Sequence, residues 1–294
     1  MKPGPILVTG GSGQLALALE HAAGARPMRR VGRPAFDFDA PDTLPALLTD
    51  IAPRLIVNAA AYTAVDRAET EPDAAGRANH LGPALLARYC ATAGIPLIHV
   101  STDYVFDGDK GAPYVEADPT SPTGVYGASK RAGEEAVLAL CPQAMVLRTA
   151  WVYSATGKNF VLTMLNAAKK NPRLRVVADQ IGNPTAAEDL ALAILGIADR
   201  LEAGWRDAYA GVFHAAGSGA TSWHGLAVAT IAAGATHGLP SPEIEPIATA
   251  DWPTPVRRPP DSRLDCTRLA AIFGQRLPDW TLTLPRVVAQ AVRS

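Results

Sequence analysis

The run Gly10-Gly11-Ser12-Gly13-Gln14-Leu15-Ala16 joins a short apolar stretch, Pro5-Ile6-Leu7-Val8-Thr9, to the alanine- and leucine-rich stretch Gln14 to Ala23. A strand that turns through glycines straight into a helix restricts the fold severely, because the helix must cross over before the next parallel strand can form. Gly10 and Gly13 permit the tight turn and let the backbone approach a pyrophosphate, which the helix N-terminus, at Ser12, Gly13, Gln14 and Leu15, then holds. Ala16, the third small position, still allows close helix–strand packing. Two glycines in a tight turn are common in isolation. Their place between a strand and a helix points to a dinucleotide site.

The pattern repeats along the chain. Arg54 to Asn58, Pro96 to Ser101 and Ala144 to Thr149 are further strand candidates, while Glu71 to Ala93 and Gly124 to Leu140 are helical in character. Strands alternating with helices imply right-handed βαβ units, so the fold class expected is α/β: a doubly wound, Rossmann-type parallel sheet. Beyond Thr149 the alternation loosens, and prolines gather at Pro240 to Pro246 and Pro253 to Pro260. We therefore expect a dinucleotide-binding domain over residues 1–152, completed by about 186–212. Residues 153–185 and 213–294 would form a smaller, loop-rich substrate lobe.

Composition narrows the function classes. A net charge of −1 gives no electrostatic footprint for nucleic acid or an anionic membrane. No apolar run reaches the ~20 residues needed to span a bilayer. The start reads as a strand rather than a signal peptide, since it lacks a long apolar region and a cleavage site. Cys90, Cys141 and Cys266 are odd in number and far apart, which suggests neither zinc nor a disulfide framework. The cytoplasm is the expected compartment. His21, His80, His99, His214, His224 and His237 form no metal spacing; His99 reads as a core residue, and Trp205 and Trp223 as packing.

Chemistry is concentrated in two places. Tyr126 and Lys130 lie four residues apart at the start of a long helix, which puts both on one face. A phenol with a pKa of about 10 is a poor acid–base group at neutral pH unless its anion is stabilised, and a nearby ammonium does that. Thr102 follows Ser101 at the carboxyl end of a strand, where doubly wound sheets bind ligands; it could donate to a substrate oxygen or simply cap the strand end. Asn58, Ala59, Ala60, Ala61 and Tyr62 end another strand in the same layer, and their small side chains leave room for a cofactor. After Met28-Arg29-Arg30-Val31-Gly32 comes Arg33, followed by Asp37, Phe38 and Asp39. An arginine there suits a 2′-phosphate and an acid a ribose hydroxyl, so Arg33 favours NADPH, with NADH the alternative.

Together these residues resemble the extended short-chain dehydrogenase/reductase superfamily and, more narrowly, the dTDP-4-dehydrorhamnose reductase family. The resemblance runs nearly end to end: Gly10 to Leu15, Asn58 to Thr63, Val65 to Glu69, Ser101 to Phe106, Tyr126 to Lys130, Arg148 to Tyr153, Gln180 to Thr185, Arg257 to Pro259 with Ser262 to Leu264, and Leu277 to Trp280. The Trp-Val-Tyr, Gly-Asn-Pro-Thr and Arg-Pro segments point to this family, because the earlier motifs belong to the whole superfamily. The resemblance implies a catalytic trio of Thr102, Tyr126 and Lys130. It also implies a dTDP-sugar site lined by Thr102, Asp103, Tyr104, Trp151, Asn183, Thr185 and Arg258, and reduction at C4 of a 4-keto-6-deoxy sugar.

Some relatives hold Mg²⁺ between subunits with glutamates. Here Glu188 is available, but the first helix reads Leu17-Ala18-Leu19 with Glu20 out of register, so no metal is expected. A homodimer is left open. The rival readings are a 4,6-dehydratase or 4-epimerase, and a non-catalytic NADP-binding regulatory subunit. A dehydratase of this superfamily needs an Asp-Glu pair after the threonine, and Tyr104 stands where the glutamate would be. A regulatory subunit would show eroded site residues, and these are intact.

Overall fold

The computed structural model describes residues 3–293. Its centre is a six-stranded, all-parallel sheet built from β1 (Ile6–Thr9), β2 (Met28–Val31), β3 (Leu55–Asn58), β4 (Leu97–Thr102), β5 (Ala144–Thr149) and the edge strand Gly211–His214. The strand order is β2-β1-β3-β4-β5 followed by that edge strand. The strands are near-continuous apolar runs because helices cover both faces of a parallel sheet. Ile6, Val8, Val57, Ile98 and Leu147 pack on one side against helix α1 (Gln14–Ala23) and the helix Ala187–Glu202. Leu7, Ile56, Leu97 and Val146 pack on the other, against Leu44–Ile51, Gly82–Ala93 and Val125–Leu140.

The stretch Glu71 to Ala93, helical in character, is three pieces: Pro72–Gly76, a π-helical turn Arg77–Leu81, and Gly82–Ala93. The wide turn presses the Asn79 backbone against Gly133 of the facing helix, where an added Cβ would sit 2.0 Å from the Asn79 carbonyl oxygen. Such one-turn bulges recur beside functional sites. Here the bulge lets Asn79 hold the Tyr62 backbone through both a donated and an accepted hydrogen bond, at 3.0 and 2.8 Å.

Outside the sheet, three two-stranded pairings and the helices Phe160–Ala168, Trp223–Ala235 and Trp280–Arg293 form a second, smaller lobe. It has its own core, including Tyr153, Val161, Leu226, Leu284 and Val287. The short helix Thr267–Phe273 departs from this grouping: Leu269 and Phe273 are buried in the sheet's own core. No helix among the described residues is long and apolar enough to cross a membrane.

Candidate active site

The chain leaves β1 for β2 on one side and reaches β3 on the other, and that reversal opens a crevice beyond the strand ends. A cavity of about 1030 Å³ lies there, walled by the glycine turn, the ends of β4 and β5, the Tyr126 helix and the second lobe.

One half of the cavity is shaped for a dinucleotide. Gly10 has φ 109°, and a Cβ on it would meet the Ala59 carbonyl at 2.9 Å. Gly32, after β2, lies so close beneath the turn that its Cβ would sit 2.4 Å from the Gly11 Cα. The turn is thus a bare backbone cradle, and α1 begins after Gly13 with no side-chain cap, leaving first-turn N–H groups for an anion. Ser12, Gly13, Gln14, Leu15, Ala59, Ala60, Ala61 and Tyr62 all face this space. So do Arg33, Asp37 and Phe38. The Ser101 and Thr149 hydroxyls, buried in the same wall, have no partner among the described residues. These features fit a nicotinamide dinucleotide.

Arg33 is not a solitary cation. Its guanidinium donates to Asp37 at 2.8 Å and also pairs with Asp39, and Arg77 meets Asp39 at 2.7 Å. Arg77, and secondarily Arg33, hold the Asp39 carboxyl below the usual carboxylate range.

The other half carries the acid–base groups. Tyr126 and Lys130 face the cavity from successive turns of Val125–Leu140, and both are buried. Burial pushes the Tyr126 phenol up to about 12, while the Thr102 side chain favours its anion. Burial also lowers Lys130 to about 8, opposed by the charge of Glu134 one turn on. Lys130 donates to the Val100 carbonyl at 2.7 Å, which anchors the ammonium to β4. Its hydrogen-bond partner is therefore the strand, and the side chain that acts on the Tyr126 phenol is Thr102. Thr102 also closes the end of β4: its Oγ1 accepts from the Tyr104 amide at 3.2 Å and donates to Asp103 at 3.1 Å. The hydroxyl therefore caps the strand end, and Thr102 also lines the cavity. Burial lifts Asp103 to about 6. Tyr104 meets Tyr126 edge to face, with ring centroids 5.7 Å apart.

Beneath this group lies a buried ion pair. Arg148 on β5 grips Glu134 with two nitrogens, the shortest contact being 2.7 Å. His99 is fully buried, with Nδ1 2.9 Å from the Asn58 amide nitrogen, and its pKa is depressed by burial; it is the core histidine its strand position suggests.

Four residues expected at the site do not line the cavity, and most of their polar atoms are engaged elsewhere, although Arg258 Nη1 is buried without a partner among the described residues. Asn58 accepts from Thr9 at 2.6 Å and bonds His99, tying β1, β3 and β4 together. Asn183 donates to the Gly219 carbonyl and accepts from the Leu264 amide, at 2.6 and 2.8 Å. Thr185 is fully buried between the Asn183 carbonyl and the Gly217 amide. Arg258 pairs with Asp66 at 2.9 Å and stands beside Tyr104. These residues shape the walls from behind.

Trp223, read as packing, does face the cavity. It stacks on Trp151 with centroids 3.5 Å apart and planes 7° off parallel, and its Nε1 donates to Gln180 at 3.2 Å. Trp151 itself has a left-handed backbone, φ 47°, rare for a bulky residue. Gly182 gives it room, since a Cβ there would lie 2.5 Å from the indole. No spacing in the sequence links Trp151 to a residue 72 positions later; only the folding of the lobe against the sheet brings them together.

Comparison with known proteins agrees with this architecture. The family model described as the RmlD substrate binding domain matches residues 4–293. A dTDP-4-dehydrorhamnose reductase from Sinorhizobium fredii is 46% identical over 286 residues, covering 96% of each chain. One from Mycobacterium tuberculosis is 40% identical, covering 98% of this chain and 94% of its own. Among solved structures, the Bacillus anthracis dTDP-4-dehydrorhamnose reductase in complex with NADP superposes with a TM-score of 0.89 at 30% identity, covering 98% of this chain and all of that one. The cradle, the Thr102–Tyr126–Lys130 group and a match along almost the whole chain make this protein a member of the dTDP-4-dehydrorhamnose reductase family.

Proposed function

We propose that the protein reduces the C4 keto group of dTDP-4-keto-6-deoxymannose to give dTDP-rhamnose, with Tyr126 as the proton donor. The observation that carries this reading is the meeting of Tyr126, Thr102 and Lys130 in the cavity that the glycine cradle also lines. The reduced nicotinamide, when bound, supplies the hydride. Tyr126, with its pKa pushed up to about 12, is fully protonated at neutral pH and gives its proton to the oxygen on C4 as charge develops there. The Thr102 hydroxyl orients that oxygen and then donates to the phenolate left behind. The Lys130 ammonium, close to its lowered pKa of about 8, remains mostly charged at neutral pH and offsets the phenolate charge. Asp103, Tyr104 and Trp151 form the sugar wall, and Asn183, Thr185 and Arg258 hold that wall in place.

Arg33 is the basis for assigning NADPH as the preferred reductant, with NADH second. A 2′-phosphate would take over guanidinium contacts now made with Asp37 and Asp39. The division of labour follows: residues 1–152 and about 186–212 hold the cofactor, and 153–185 with 213–294 hold the sugar nucleotide. Gly211–His214 and Thr267–Phe273 belong with the sheet. The cytoplasm is where a soluble reductant and nucleotide sugar meet, and we place the enzyme there.

The test is NADPH oxidation in the presence of dTDP-4-keto-6-deoxymannose, with sugar products identified by chromatography. Stoichiometric formation of dTDP-rhamnose, by protein purified free of cofactor, supports the reading. No oxidation with NADPH or NADH would overturn it. Cofactor that co-purifies and never exchanges would instead indicate an epimerase or dehydratase, which regenerates its cofactor within each turnover.

A further inference from the structure

Four cationic side chains line the cavity: Arg33, Arg67, Lys130 and Lys158. Three are committed. Arg33 pairs with Asp37 and Asp39, Arg67 with Glu71, and Lys130 donates to a buried carbonyl. Among the described residues, Lys158 alone of the four has neither a carboxylate in ion-pair range nor a hydrogen-bond partner. It lies in the loop that connects Tyr153 to the helix Phe160–Ala168, in the second lobe.

That loop is fastened to the glycine turn. The Gln14 side-chain oxygen, on the first residue of α1, accepts from Ser154 Oγ at 2.9 Å and from Asn159 Nδ2 at 2.8 Å. Asn159 also caps its own helix, its Oδ1 accepting from the Leu162 amide at 3.0 Å. Gly157 has φ 80°, and a Cβ on it would lie 3.3 Å from Gln14 Cγ, so the loop bends tightly over the start of α1. The next residue is Lys158. Lys158 thus sits on a loop tied to the first residue of α1, and it lines the cavity together with the glycine turn.

We propose that Lys158 closes over the diphosphate of the bound dinucleotide, and that Gln14 acts as the positioning residue for its loop. The assignment rests on the cofactor reading above. Backbone amides contact the diphosphate from one side, and Lys158 supplies the charge from the other. The substrate also carries a diphosphate, but Lys158 follows Gly157, which packs against Gln14, so its loop lies at the cofactor's end of the cavity.

Equilibrium binding of NADPH and of dTDP, measured separately by calorimetry on the whole protein, tests this. Lys158→Ala should weaken NADPH about tenfold, the scale of one lost charge-assisted hydrogen bond, and leave dTDP within about twofold. Lys158→Arg should recover most of the affinity, and the wild-type advantage should shrink as salt rises. Gln14→Ala should weaken NADPH in the same direction while Lys158→Ala added to it costs little more. Unchanged NADPH affinity in Lys158→Ala, with tight wild-type binding, overturns the inference and leaves the proposed reaction standing. Loss of dTDP affinity alone also overturns it, by assigning Lys158 to the sugar nucleotide. A wild-type protein that binds neither NADPH nor NADH would remove both readings together.

Discussion

Replacing Tyr126 with Phe removes one hydroxyl and leaves the ring. The ring's edge-to-face contact with Tyr104 therefore survives, and so does the wall it forms. With a folded pKa of about 12, the wild-type phenol is ionised in only about one molecule in 10⁴ or fewer at neutral pH, so the donor is always loaded. Its loss should lower kcat by about 10²–10⁴-fold, the usual contribution of a positioned acid, or roughly 3–5 kcal/mol in the barrier. Binding should barely change: Kd for NADPH should stay within about threefold, since the glycine cradle and α1 amides are untouched. Stability should fall by no more than about 0.5–1.5 kcal/mol, because the phenol's hydrogen-bonding partner is a single hydroxyl, Thr102. Single-turnover hydride transfer, cofactor titration and urea unfolding of the same preparation separate these effects. A rate within about tenfold of wild type would refute the acid assignment and turn attention to Asp103. A rate loss matched by equal loss of cofactor binding would show instead that Tyr126 is a wall residue.

Other expectations follow from the same geometry. Turnover should decline as pH rises through about 8, where the buried Lys130 loses its charge. Unfolding cannot be the cause of such a decline through this group. Its folded pKa lies below its unfolded value of 10.5, so the unfolded chain binds more protons across that window and stability from Lys130 increases with pH. A flat rate profile with intact binding would refute the charge-offset role. Glu134→Gln should move that alkaline limb to lower pH, since Glu134 favours the Lys130 ammonium. It should also cost on the order of 3–5 kcal/mol in urea unfolding, by leaving the buried Arg148 without its counter-charge. A loss under about 1 kcal/mol would mean that water or repacking satisfies the arginine. Gly32→Ala should displace the glycine turn, because the new Cβ would lie 2.4 Å from backbone at Gly11. The overpacking cost is about 1–3 kcal/mol, and NADPH affinity should fall while dTDP affinity holds. Unchanged NADPH binding would contradict the cradle.

The strands of the sheet were legible because a parallel sheet covered on both faces demands apolar runs, and β1, β3, β4 and β5 are just such runs. The glycine turn was legible for a related reason: only glycine tolerates the φ of Gly10 and the backbone contact there. Tyr126 and Lys130 could be paired from spacing alone, since 3.6 residues per turn carries both to one helix face. Local chemistry of that kind is written in neighbouring residues.

Contacts between distant segments are not. The helical stretch after Glu71 hides a π turn that packs against Gly133, on another helix. Asn183 and Thr185 belong to a motif that resembles a ligand segment, but in the fold their polar atoms are consumed by the backbones of Gly217, Gly219 and Leu264. Trp223 and Lys158 carry no motif at all, and reach the cavity because the second lobe closes against the sheet. The sequence by itself determined the sheet, the cradle and the pair on one helix face, since each depends on steric and periodic rules acting over a few residues. Which polar groups are left free to meet a ligand was decided by tertiary structure, because a side chain's remaining hydrogen-bonding capacity depends on partners brought in from far along the chain.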